Sequence, residues 1–313
     1  MKMGKHFLRN VIGEYLVEIG KMNDSVVVVN ADLMGTCRNS TFVETFPNRS
    51  FNVGIAEQNM VSFAAGLAHE GFIPYVFSMA PFISMRASEQ CRTDVAYSSL
   101  DVRLLATYAG YSGGISGATH WGLEDCAIMN AIAGMTVLEP SDPVQAKAML
   151  EHSLSFKGPM YIRSSVEPVS ELYSTGTEFH IGKANILRDG NAGAYICSGI
   201  VVQFAIDASD YIRKTYNENI RVVDMSTLKP IDIDAVLDAA KTGKVVVAQD
   251  HSIVGGLGQT VATVIATHGI SVAMKILGCI DRFIPMAHAG YLYHKYEYDM
   301  EGLIKNMLML LGH

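Results

Sequence analysis

The chain has 313 residues, 49% of them hydrophobic and 18% charged, with a formal net charge of −7. That length holds two domains, each with its own core, and the acidic balance argues against nucleic acid as a partner. Five cysteines (Cys37, Cys91, Cys126, Cys197 and Cys279) include no Cys-x-x-Cys pair, which speaks against a zinc knuckle and a disulfide framework.

No apolar run reaches the length of a bilayer span. The opening Met-Lys-Met-Gly-Lys-His lacks the apolar core of a signal peptide, so a cytoplasmic location is expected. The high apolar fraction, with 17 methionines, fits a subunit that buries surface against a partner.

Leu8, Val11, Ile12, Tyr15, Leu16 and Ile19 recur at helical spacing and predict an amphipathic first helix. Val26 to Val29 reads as a strand buried on both faces, as parallel sheets require. Asn30-Ala31-Asp32-Leu33 follows at its C-terminal end, where ligands of open α/β sheets bind. A short strand through Phe51 and Val53 then turns at Gly54 into a helix carrying Met60, Ala64, Leu67 and Ala68. Ile73 to Phe77 predicts a strand, Arg86 to Tyr97 a helix and Val102 to Thr107 a strand. A glycine-rich loop follows from Gly110 to Gly122.

Met135 to Leu138 and Met160 to Ile162 are further strands. They flank a helix opened by Glu139-Pro140-Ser141-Asp142-Pro143. The polar stretch Val166 to His180 reads as an interdomain connection. A second alternating series then runs through strands at Ala194–Cys197, Ile220–Asp224 and Lys244–Ala248. It ends in a helix with Leu303, Ile304, Met307, Leu308 and Leu311 on one face. Gly255-Gly256-Leu257-Gly258 is an incomplete dinucleotide fingerprint and predicts tight helix–loop packing. The expected architecture is α/β, two doubly wound domains over residues 1–172 and 180–313.

The stretch most suggestive of chemistry is Phe51-Asn52-Val53-Gly54-Ile55-Ala56-Glu57-Gln58-Asn59-Met60. Glu57 falls at a strand-to-helix junction among mostly apolar neighbours. A carboxyl group so placed can keep its proton near neutral pH and donate it to a bound base. Taken alone, it reads first as an acid in a helix's first turn, favoured by the dipole. Phe82, in Pro81-Phe82-Ile83-Ser84-Met85-Arg86, would alone be a core aromatic. Asp32 would be a turn or cap residue, and His120 a structural histidine.

The segment around Glu57 resembles the Gly-Ile-(Ala/Arg)-Glu-(Gln/His) motif of the transketolase family, and the likeness runs through almost the whole chain. It is similar to the small subunit of a split transketolase, equivalent to the C-terminal half of the one-chain enzymes. The resemblance implies a pyrimidine-binding domain of thiamine diphosphate enzymes followed by a transketolase C-terminal-type domain that supports dimerisation. It implies that Glu57 contacts N1′ of the aminopyrimidine and favours the imino tautomer that takes the thiazolium C2 proton. Phe82 would stack on the same ring, with Asp32, Leu33 and Ile55 at its edge. His120 would reach the donor sugar near its carbonyl. Arg9 and Thr36 match positions that reach toward the sugar phosphate.

The departures concern the sugar half. In Thr107-Tyr108-Ala109-Gly110-Tyr111-Ser112-Gly113-Gly114-Ile115-Ser116-Gly117-Ala118-Thr119-His120, the family's first His is Tyr108. The Asp that contacts a donor hydroxyl is Ser116, and a phosphate-binding Arg after Tyr161-Ile162-Arg163 is Val166. The first Phe of the family's Ser-Thr-Phe-Ala-x-Phe-x-x-x-Arg pattern is Met79. These changes imply ketol transfer with a non-standard ketose phosphate, for which a branched, apulose 4-phosphate-like sugar is a candidate.

The Gly-Asp-Gly…Asn motif that holds Mg²⁺ and the diphosphate is missing. Arg188-Asp189-Gly190-Asn191 has the look of a surface turn only. No metal ligand is therefore expected here. The resemblance implies instead a large partner subunit that carries the motif and the Mg²⁺, in an α2β2 tetramer with the thiamine diphosphate shared between chains. Two alternatives remain, the β subunit of a 2-oxoacid dehydrogenase first component and a non-catalytic regulatory subunit.

Overall fold

A computed structural model describes residues 5–313; residues 1–4 of the expected first domain lie outside the described residues. Twelve strands alternate with helices. They are β1 (Val26–Asn30), β2 (Ser50–Asn52), β3 (Ile73–Met79), β4 (Arg103–Thr107), β5 (Thr136–Leu138), β6 (Met160–Arg163), β7 (Asn185–Arg188), β8 (Gly193–Cys197), β9 (Ile220–Asp224), β10 (Thr227–Lys229), β11 (Lys244–Ser252) and β12 (Ala273–Cys279).

Two sheets result. The first is seven-stranded in the order β10-β5-β6-β4-β3-β1-β2, and the second is five-stranded in the order β12-β11-β8-β9-β7. All neighbours are parallel except β10 on β5 and β7 on β9, which are antiparallel edge strands. Parallel pairing needs crossovers, and the helices supplying them cover both sheet faces. The strands are accordingly near-continuous runs of buried residues: β1, β4, β6 and β8 are buried at every position. The expected fold class is the one observed.

The first helix runs Leu8–Met22 and buries Leu8, Ile12, Leu16 and Ile19. The Asp142 carboxylate accepts from the Gln145 N–H at 2.8 Å, capping the helix Pro143–Ser155 as the Ser-Asp-Pro sequence predicts. Gly256 and Gly258 pack so closely on His251 and Ile276 that a Cβ would overlap them, which accounts for the glycines without a nucleotide. The segment expected as one helix over Arg86 to Tyr97 is instead two wide π-helical pieces, Phe82–Arg86 and Cys91–Ala96, with a short α turn, Ser88–Gln90, between them. Wide turns of this kind concentrate at functional positions.

The two sheets are not independent. β10 lies between strands of the second sheet in sequence yet adds to the edge of the first. A buried polar cluster fastens the junction. Arg163, fully buried, donates from Nε to Asp125 at 2.8 Å and from Nη1 to Glu139 at 2.6 Å. Its Nη2 donates to the carbonyls of Gly122 and Asp250 at 3.1 Å each. Burial works against the Arg163 charge, and the surrounding groups, Asp125 and Glu139 among them, outweigh it and hold the guanidinium protonated. From the second sheet, Asp250 accepts from the Tyr111 backbone N–H at 2.9 Å and from the hydroxyls of Tyr293 and Tyr298 at 2.9 and 3.0 Å. Gly110 is at φ +64°, and a Cβ there would overlap the Asp250 carboxyl. The loop after β4 is thus held from across the junction.

Candidate functional site

Nearly all the sequence-predicted site residues follow the C-terminal ends of four adjacent parallel strands. Asp32, Leu33 and Thr36 come after β1, Ile55 and Glu57 after β2, Phe82 after β3, and Tyr108, Ser116 and His120 after β4. That edge is where the strand order of an open α/β sheet leaves a crevice. Arg9 reaches the same edge from the first helix.

Glu57 is the first residue of the helix Glu57–His69. Its carboxylate is only 5% exposed and accepts a hydrogen bond from Arg86 Nη1 at 2.8 Å, while the Arg86 side chain is 50% exposed. Ile55, Ala56, Glu57, Gln58, Asn59 and Arg86 line an open groove, with Ile55 76% exposed on its rim. The guanidinium of Arg86 also lies 3.8 Å over the Phe82 ring. On its other contact, Phe82 meets the His120 ring edge-on at 5.5 Å. The His120 Nδ1 is 2.8 Å from the Thr119 hydroxyl. Glu57, Phe82 and His120 are therefore linked, through Arg86, into one surface.

The setting of Glu57 is less apolar than the sequence suggests. Arg86 supplies a cation that local hydropathy does not reveal, although it stands only four residues after Phe82. Nor does local sequence single out Asn52. Its side chain accepts from the N–H groups of Asp32 at 3.0 Å and Gly54 at 3.1 Å, so it ties the loop after β1 to the loop before Glu57. Asp32 itself sits at φ +60° and is exposed, a conformation Asp tolerates better than most residues. Leu33 is half-buried beside it and packs on the core.

A second group forms around Arg9. Its Nη1 donates to the Thr36 carbonyl at 3.4 Å, and its guanidinium lies 5.9 Å from the Tyr108 ring. The Arg9 Nε is buried without a hydrogen-bond partner among the described residues. Tyr108 is at φ +64°, a strained conformation for a bulky side chain and one that clusters at functional positions. Its ring lies against Gly113, and Gly114 lies against the backbone of Ala287 to Ala289. Glu167, half-buried nearby, has its pKa shifted upward by burial, opposed by the charges of His288 and Arg9. Glu167 and His288 are thus neighbours of Arg9 that the sequence does not flag, since Glu167-Pro168 reads as linker. Ser116 is exposed at the end of the turn Tyr111–Ser116.

All five cysteines are free and buried, and burial pushes the Cys37 thiol up to about 11, which leaves it a poor nucleophile. Among the described residues, Asp125, Cys126 and His251 form the one group of three side chains with ligating atoms close together. They are fully buried, and Asp125 Oδ2 accepts from both Arg163 and Tyr161. The turn at Asp189 is closed by Arg221 at 2.8 Å and by the Gly190 N–H at 2.9 Å.

Residues 6–169 match the model of the transketolase pyrimidine binding domain, and residues 182–303 match that of the transketolase C-terminal domain. The chain belongs to the transketolase family. A Methanocaldococcus jannaschii protein, named for the C-terminal section of transketolase, is 39% identical over 96% of this chain and 95% of its own. A 6-deoxy-6-sulfo-D-fructose transketolase subunit of Clostridium sp. is 35% identical over 97% of this chain and 94% of its own length. An apulose-4-phosphate transketolase subunit of Phocaeicola vulgatus is 32% identical over 96% of each. A solved split-gene transketolase, described as an inactive β4 tetramer, superposes with a TM-score of 0.88 at 33% identity and covers 99% of both chains.

Proposed function

We propose that this chain is the small subunit of a thiamine diphosphate-dependent transketolase and becomes active with a large partner subunit. The observation that carries the reading is the conjunction of Glu57, nearly buried at the head of an open groove, with the half-buried ring of Phe82 beside it. A carboxyl group and an aromatic face are what a flat, basic aminopyrimidine requires: one to share a proton at a ring nitrogen, the other to hold the ring without using its hydrogen bonds. When bound, thiamine diphosphate supplies the carbanion chemistry of ketol transfer. In our reading Glu57 holds a proton at the aminopyrimidine N1′. Phe82 and Ile55 fix the ring plane, Asp32 and Leu33 border it, and His120 faces the sugar carbonyl.

The groups that would bind the diphosphate and Mg²⁺ are to come from the partner. The chain's turn at Asp189 is closed on itself, and its one cluster of ligating atoms among the described residues is fully buried, with Asp125 Oδ2 bonded to Arg163. The split-gene relative forms an inactive assembly of four β chains, which supports a site completed by another chain. We place the active assembly as α2β2 and cytoplasmic; no helix among the described residues is long and apolar enough to cross a membrane.

For the substrate, we infer a ketose phosphate or a similarly anionic ketose, gripped by Arg9 and Thr36 and read by Tyr108 and Ser116. The relatives named for sulfofructose and apulose 4-phosphate support a donor that departs from the common pentulose phosphate, and a branched sugar remains our candidate. Calorimetry of thiamine diphosphate with Mg²⁺, on this chain alone and with the partner, tests the reading. Binding by the pair and none by the chain alone is expected, whereas tight binding by the chain alone would overturn the shared site. Faster turnover of xylulose 5-phosphate than of any branched ketose phosphate would remove the branched donor.

A further inference from the structure

At the groove beside Glu57, the acid and the neighbouring ring are already engaged from within the chain. Arg86 lies 3.8 Å over the Phe82 ring and donates to Glu57 Oε1 at 2.8 Å. A guanidinium is planar, is stacked readily on aromatic faces, and presents N–H donors along its edge to a carboxylate. A 4-aminopyrimidine is also planar, with an amino group beside a ring nitrogen. Both use the same two features, an aromatic face and a carboxylate at its rim. One Phe82 face and one Glu57 oxygen cannot serve both at once.

We propose that Arg86 is an internal occupant of the aminopyrimidine subsite, bound to Phe82 and Glu57 in the free subunit and displaced when the cofactor enters. This rests on the cofactor reading given above. Two features make displacement feasible. The Arg86 side chain is half exposed, so its head can swing into solvent on a flexible stem. It also stands at the end of the wide turn Phe82–Arg86, four residues from the ring it covers, where rotation about its own side-chain bonds can carry the head away. Glu57, by contrast, is held at the start of its helix and nearly buried. The mobile partner moves and the fixed one receives.

The consequence is quantitative. The apparent dissociation constant rises by the inverse of the fraction of molecules in which Arg86 stands open. A half-exposed ion pair combined with a cation–π contact keeps that fraction at roughly one tenth. The occupant also keeps an acidic side chain and an aromatic face from lying bare until the partner and cofactor are present.

The test is calorimetry of thiamine diphosphate with Mg²⁺ on the assembled pair, comparing wild type with Arg86→Ala and Arg86→Lys. Cooperative thermal unfolding of all three establishes that the variants fold. The proposal expects Arg86→Ala to bind about tenfold more tightly, with a faster association rate, and Arg86→Lys, which keeps charge but loses the planar fork, to fall between. Weaker binding by Arg86→Ala would mean that Arg86 holds Glu57 in place for the cofactor, and unchanged binding would mean that it does neither; either result removes the proposal while leaving the cofactor reading intact. Failure of the wild-type pair to bind thiamine diphosphate removes that reading and the proposal with it.

Discussion

Two arginine–carboxylate centres stand at opposite extremes in this molecule. At the domain junction Arg163 is fully buried, and its hydrogen bonds run to Asp125, Glu139 and two carbonyls. At the sheet edge Arg86 is half exposed, touches one carboxylate and one ring, and faces an open groove. The first centre is closed to solvent, with every Arg163 nitrogen bonded and Asp125 Oδ1 alone left without a hydrogen-bond partner among the described residues. The second is incomplete, and a nearly buried carboxylate whose partner is loosely held is the arrangement that a binding site needs. Residue types alone would not separate them; burial of the arginine does.

The largest expected difference lies in activity. Glu57→Gln in the assembled pair should lower kcat by about a thousandfold or more, since a positioned acid–base group is worth ~10²–10⁴ in rate, while co-purification with the partner is retained. Normal turnover would take Glu57 out of the mechanism and would favour a non-catalytic subunit. The same isosteric change at Glu139 should leave kcat per folded molecule nearly intact and show itself in stability.

Next comes the stability of the closed centre. Arg163→Met leaves Asp125 and Glu139 buried without their cation, and loss of one partner from a buried network costs about 3–5 kcal/mol. Urea unfolding should show a midpoint shift of that order. A loss under about 1 kcal/mol would mean that water enters the junction and that the contrast with Arg86 is one of degree.

A smaller effect is set by pH. Burial raises Asp250 to about 6, against an ordinary value of 3.8, and the hydrogen bonds from the Tyr111 N–H and the tyrosine hydroxyls offset only part of this. Burial raises Asp224 to about 6 likewise. A carboxyl group whose folded value lies above its unfolded value binds its proton more tightly in the folded state. Its stabilising contribution is therefore fully present below about pH 3.8 and is lost as pH rises through about 6. Asp250→Asn, which keeps an acceptor for Tyr111 and carries no charge, should flatten that decline by about 3 kcal/mol at most, the value of two pKa units. Chemical unfolding across pH 4–7 measures it, and an unchanged profile would assign the titration elsewhere.

Much of this organisation is legible in the sequence, for physical reasons. Runs such as Val26–Val29 and Ile220–Asp224 can only be strands buried on both faces, and the alternation with amphipathic segments dictates parallel sheets. The Asp142-Pro143 cap and the packing glycines at 256 and 258 carry local signals that need no tertiary context. Strand β10 escapes such a reading because three residues joining another domain's edge have no periodicity to detect. Arg86 and Asn52 escape it because their roles lie in partners, Glu57 and Asp32, that are 29 and 20 positions away. Tyr108 and Ser116 look equivalent in sequence, yet the Tyr108 ring lies 5.9 Å from the Arg9 guanidinium while Ser116 is exposed at the end of its turn. Contacts across the ends of adjacent strands are what single-sequence patterns omit.

The smallest effect completes the contrast. Arg86→Ala removes an ion pair that is half solvated and a stacking contact on an accessible ring. Screened pairs of this kind contribute about 0–1 kcal/mol, and an exposed cation–π contact about 0.5–1 kcal/mol. The loss in unfolding free energy should therefore stay near ~1 kcal/mol, several times below that of Arg163→Met, and should shrink further in about 0.5 M salt as the pair is screened. Glu57 is left with the open groove at its head, so water can replace the guanidinium. A loss as large as that at Arg163 would mean that Glu57 depends on Arg86 for its burial. The sheet-edge centre would then be a structural ion pair like the one at the junction.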